Sequence, residues 1–124
     1  IPLARVVAQA SAAYEPEWFT TAPGKAIGKV LEKAGLSAED IDLWEINEAF
    51  SAVTMAAMED FHIDHKKVNI YGGAVALGHP IGASGARILT TLLNALGRTN
   101  SKYGLATLCI GGGEASAVIL EKYD

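Results

Sequence analysis

Three side chains in this sequence could do proton or covalent chemistry, and each stands at the edge of an apolar run. Cys109, the single cysteine, lies in the run Leu105–Ile110 and is followed by Gly111, Gly112 and Gly113. A thiol of pKa about 8.5 serves as base, acid or nucleophile once its neighbours bring it into the working range. His79 sits in a glycine-rich stretch from Gly72 to Gly85, where an imidazole can take or give a proton near neutral pH. Asn47 follows the apolar run ending at Ile46, and its amide could donate to a developing oxyanion. On spacing alone each has a plainer reading that stays open: an inert core thiol, a histidine satisfying turn hydrogen bonds, an asparagine capping a helix.

The elements that must position these groups are legible in the periodicity. Leu3–Ala10 and Ile41–Ile46 read as strands, as does Val68–Tyr71, which is short, apolar and ended by Gly72-Gly73. A helix is expected from Pro23 to Ala34, with Ile27, Val30, Leu31 and Ala34 on one face and Gly35 as its stop. Glu48–Phe61 is apolar nearly all round, as a buried helix would be. Ser84 can cap a further helix over Gly85–Leu96, and Leu105–Ile110 and Ser116–Leu120 are close enough for an antiparallel hairpin. The order βαβαβαββ predicts one α/β domain over residues 1–124, with a mixed, mostly parallel sheet and helices packed on it. In such sheets ligands bind beyond the carboxyl ends of the strands, so a parallel sheet would gather Asn47, His79 and Cys109 at one end.

Composition narrows the function classes. With 124 residues, half of them apolar, and a net charge of -4, the chain has no electrostatic basis for gripping nucleic acid or an anionic membrane. A single cysteine suits a reducing, cytoplasmic setting. Gly111-x-Gly113 has Ser116 where a dinucleotide fingerprint needs glycine or alanine, and Gly78 is followed by His79-Pro80 where a phosphate loop needs Lys-Ser/Thr. His62, Asp64 and His65 lie in a charged connector beside Lys66 and Lys67 with no further ligand at metal spacing, so no metal site is expected.

The blocks Asn47-Glu48-Ala49-Phe50, Gly72-Gly73-Ala74 through Gly78-His79-Pro80-Ile81-Gly82-Ala83-Ser84-Gly85-Ala86-Arg87, and Cys109-Ile110-Gly111-Gly112-Gly113 resemble the three motifs of the thiolase C-terminal domain, and the resemblance runs from about Leu3 to the end. It implies Claisen condensation of two acetyl-CoA to acetoacetyl-CoA and the reverse thiolysis, with coenzyme A thioesters as substrates and no covalently bound cofactor. It also implies roles. Cys109 would be the acid/base cysteine, and His79 would activate the nucleophile. His79, with a water on Asn47, would stabilise the enolate, while the Gly111 N–H would help form a second oxyanion hole. Phe19, Ala49 and Phe50 would bind the acyl group. Asn47 at the head of its block resembles short-chain and general members.

The family's nucleophilic cysteine belongs to its N-terminal half, so that half, and the opening of the C-terminal half, are expected to lie outside this chain. The chain alone is expected to be inactive, and the intact protein to form a homo-oligomer acting in fatty acid metabolism. A different reading is a non-catalytic thiolase-like module that binds an acyl-CoA or a partner subunit.

Overall fold

The computed structural model of the chain describes residues 1–123. Its named elements are β1 (Ala4–Ala13), α1 (Ala22–Ala34), β2 (Leu43–Ile46), α2 (Ser51–Phe61), the single turn α3 (Ala74–Leu77), α4 (Ser84–Thr99), β3 (Tyr103–Ile110) and β4 (Glu114–Lys122). The strands form one sheet in the order β1-β4-β3-β2. Alternation along β3 and β4 splits the interior into two layers. Leu105, Cys109, Ala115, Ala117 and Ile119 face α1 and α2 together with Trp44 and Ile46, whereas Leu43, Ala106 and Leu120 face Ile88, Leu92 and Leu96 of α4. Each fully buried leucine or isoleucine contributes about 1.5–3 kcal/mol, so both layers are needed to hold the sheet.

Helix α1 forms where its apolar stripe predicts. Pro23 occupies the first turn, and Gly35 ends the helix at φ +68°, where Leu36 N–H donates to Leu31 O (3.1 Å). Lys25, Lys29 and Lys33, one turn apart along α1, donate to Ala13 O, Ser11 O and Gln9 O of β1 at 3.0, 3.3 and 3.2 Å. A four-residue helical step thus matches a two-residue strand step, and the edge strand's outward carbonyls find donors.

The sheet is mixed, but it is not mostly parallel. β1–β4 and β4–β3 pair antiparallel, and among the strands of the described residues only β2–β3 pairs parallel. The expected strand at Val68–Tyr71 is reduced to one parallel bridge between Trp44 and Val68. The reason is Asn69, whose backbone turns to φ +47°. Its side-chain amide then takes the place of a strand neighbour: Oδ1 accepts from Ile46 N–H and Nδ2 donates to Ile46 O, both at 2.9 Å. Helix α4 runs past Gly97 to Thr99, because Leu96 and Ala95 remain buried against the sheet and Asn100, at φ 53°, supplies the left-handed stop instead. Helix α2 begins at Ser51 and buries Val53, Thr54 and Ala57 but leaves Met55 exposed, so it is half-covered and not enclosed.

Candidate active site

The parallel β2–β3 pair decides where the chemistry meets. Asn47 continues β2 and donates its N–H to Thr107 O (3.0 Å), which places it beside the end of β3 where Cys109 stands. His79 reaches the same place from the loop after α3, and its Nδ1 lies 3.4 Å from Asn47 Nδ2. The convergence expected from a parallel sheet is therefore produced by one strand pair and one loop.

The loop is tied down from both sides. Glu48 Oε2 accepts from Val75 N–H at 3.2 Å, which locks the first sequence block onto the second, and a Cβ at Gly73 would collide with that Glu48 side chain. At the other end Ser84 Oγ lies 2.6 Å from His79 Nδ1 and 3.2 Å from Pro80 O. The hydroxyl can accept from a protonated Nδ1 while donating to Pro80 O, or rotate and donate to a bare Nδ1. Ser84 thus anchors the His79 ring through Nδ1 and ties it to the Pro80 carbonyl. It does not cap α4 through its side chain as the sequence suggests; Ala83 stands at that position without a side-chain bond.

Cys109, His79 and Gly111 line a cleft of about 400 Å³ together with Phe19, Ala49 and Phe50. A second cleft of about 430 Å³ shares Cys109, His79 and Gly111 and extends toward Gly82 and Ser84. Every residue to which the resemblance gives a role lines the first cleft except Asn47, which is fully buried behind His79. Phe19 and Phe50 meet edge to face with ring centres 6.1 Å apart. At Gly111 an added Cβ would meet nothing within 4 Å, so no close packing inside this chain demands glycine there. A larger groove, about 600 Å³, lies between residues 1–3 and α4 and contains none of the candidate residues.

Two electrostatic features were not read from the sequence. Cys109 is 8% exposed, and burial pushes its thiol up, against a weaker lowering by a backbone hydrogen bond. The polar neighbours expected to lower it are not sufficient within this chain. The second feature is Glu45, 2% exposed between Trp44 and Ile46, whose carboxyl pairs with Arg87 Nη1 at 3.3 Å. Burial pushes Glu45 up to about 7, against the pull of Arg87 and with a small push from Glu48. A charged residue inside an apolar strand was the available signal for it. His62 and Asp64, meanwhile, have structural work: His62 ends α2 at φ 52°, and Asp64 Oδ1 accepts from Lys66 N–H at 2.9 Å.

Comparison with known proteins extends this picture. The family described as "Thiolase, C-terminal domain" matches residues 1–122. The mitochondrial acetyl-CoA acetyltransferase of Rattus norvegicus is 55% identical over 121 residues, which cover 98% of this chain and 28% of that protein. Acetyl-CoA acetyltransferase 2 of Arabidopsis thaliana is 53% identical over 119 residues, 96% of this chain and 30% of its own length. Among solved structures, the Bacillus anthracis acetyl-CoA acetyltransferase superposes with a TM-score of 0.96 at 45% identity over 99% of this chain and 31% of its own. Human mitochondrial 3-ketoacyl-CoA thiolase gives 0.97 at 43% identity over 100% of this chain and 32% of its own. The chain therefore spans 28–30% of the length of these two curated relatives. With a family match over 122 residues and a fold that superposes throughout on two thiolases, this chain belongs to the thiolase family as a C-terminal domain.

Proposed function

We propose that this domain supplies the proton-transfer and enolate-stabilising half of an acetyl-CoA acetyltransferase site, completed by an N-terminal thiolase half that carries the acylated cysteine. The observation that supports it most is the cleft onto which Cys109, His79 and Gly111 all open and which is walled by Phe19, Ala49 and Phe50. In condensation the Cys109 thiolate takes a proton from the acetyl-CoA methyl. The resulting enolate carbon attacks the acetyl carbonyl held on the other cysteine, and that cysteine leaves as thiolate, giving acetoacetyl-CoA. Thiolysis reverses each step, and Cys109 returns the proton. His79, with a water on Asn47, stabilises the enolate oxygen, and the Gly111 N–H faces the second oxyanion. Such donors contribute about 2.7–4 kcal/mol each when preorganised, and a positioned base about 10² to 10⁴-fold.

Coenzyme A thioesters are the substrates in this reading, and no covalent cofactor takes part. Assembly of the intact protein as a homo-oligomer, a place in fatty acid metabolism and a cytoplasmic setting belong to the same proposal. Light scattering on the intact protein and cell fractionation test the first and last of these; the rat relative is named mitochondrial.

Turnover tests the central claim. The 124 residues alone should not cleave acetoacetyl-CoA, whereas the chain joined to an N-terminal thiolase half should. In the joined protein Cys109→Ala should abolish exchange of the acetyl-CoA methyl protons while acylation of the other cysteine stays measurable. Ordinary thiolysis rates from the chain alone, or proton exchange surviving in Cys109→Ala, would sink the reading.

A further inference from the structure

Glu45 and Asn47 lie two residues apart, at the end of β2 and just beyond it, so they share the face turned toward α4. Arg87, in the first turn of α4, reaches both with one guanidinium fork. Its Nη1 donates to Glu45 Oε2 at 3.3 Å and its Nη2 lies 3.5 Å from Asn47 Oδ1. A guanidinium offers only donors, so it holds the amide oxygen of Asn47 and turns the Nδ2 group toward His79. The flipped amide would set N–H groups against N–H groups.

The cost of this arrangement argues against a purely stabilising role. Glu45 is 2% exposed, its partner's side chain 21%, and the pair sits beside the apolar layer of Leu43, Ile88, Leu92 and Ala106. Arg87 Nε is buried with no hydrogen-bond partner among the described residues. Desolvating such a pair costs several kcal/mol per ion, and apolar replacements of equal volume are often as stable or more so.

We propose that Arg87, anchored by Glu45, is a positioning residue that fixes the side-chain amide of Asn47, and with it the donor that Asn47 presents beside His79. This rests on the thiolase reading for its catalytic consequence but not for its geometry. Arg87→Lys separates the two roles, because an ammonium group can still pair with Glu45 but has no rigid fork to span Glu45 and Asn47. In the chain joined to an N-terminal half, Arg87→Lys should lower kcat for condensation about 100-fold with KM nearly unchanged. Added to Asn47→Ala it should cause no further loss, since it acts through Asn47. The double variant Glu45→Leu/Arg87→Met guards against misfolding: it should keep the urea midpoint of the wild type and show the same kcat loss.

A readout independent of activity comes from the 124-residue chain labelled with nitrogen-15. The side-chain amide resonances of Asn47 should shift or broaden in Arg87→Lys. Wild-type kcat in Arg87→Lys, losses that multiply with Asn47→Ala, or unmoved Asn47 amide resonances would each overturn the proposal. If the wild-type joined protein shows no turnover, the thiolase reading fails instead, and the amide resonances alone decide whether Arg87 positions Asn47.

Discussion

Cys109 shows at the residue scale what one chain can and cannot supply. Its position at the end of β3 is legible in the sequence, as a lone thiol before three glycines. Its titration is not, because burial pushes the thiol up, and burial is set by α1, α2 and the loop carrying Phe19. A base must lose its proton to act, so the proposed reaction gains from any cation or hydrogen-bond donor that the completed site brings to the thiol. Alkylation of Cys109 by iodoacetamide, followed by mass spectrometry against pH, should therefore show a midpoint above the value of about 8.5 for a free cysteine. In the joined protein that midpoint should fall. Ser84 is the counterpart on His79. Ser84→Ala removes the 2.6 Å partner of Nδ1 and should slow turnover about tenfold with little change in KM, measured in the joined protein.

At the element scale, the helices and the closing hairpin follow from periodicity and glycine placement, while the third expected strand does not form. Val68–Tyr71 has strand composition, but the Asn69 side chain takes up the Ile46 N–H and C=O that a continued ladder would use, and no local pattern announces that. Asn69→Ala leaves the buried N–H and C=O of Ile46 unpaired and should cost about 2 kcal/mol or more, read as a fall in the urea midpoint. The β3–β4 turn depends on a different constraint. Gly113 has φ +80°, and a Cβ there would lie 2.5 Å from Tyr14 O and 2.8 Å from Glu15 O, the stretch through which β1 leads to Phe19. Gly113→Ala should thus destabilise by about 1–3 kcal/mol and disturb the cleft wall at the same time, seen together in thermal melts and in crystal or NMR structure of that turn. An unchanged melting temperature would show that the turn relaxes without effect.

Stability of the whole molecule should carry the signature of the buried Glu45. Its carboxyl is raised from the ordinary 4.5 to about 7, chiefly by burial. Between those values the folded chain keeps a proton that the unfolded chain has lost, so stability is full below about 4.5, falls as pH rises through about 7, and then levels. Urea titrations from pH 5 to pH 8 should show that fall, and Glu45→Gln should flatten it; a wild type that gains stability over this range would contradict the assignment. Sequence by itself determined the long helices, the other four strands, the α/β class and the three motif blocks, because side-chain period, glycine stops and short apolar runs are local properties. It also placed Cys109, His79, Asn47 and Gly111 at the ends or in the loops of those elements. Tertiary structure alone decided that antiparallel pairing outweighs parallel, that Asn69 replaces a strand, and that Glu45, Ser84 and Arg87 brace the candidate site. Those outcomes depend on contacts between residues more than a hundred positions apart, as between Arg5 and Glu121 across the sheet edge, where burial and shared hydrogen bonds, not local preference, set the energy.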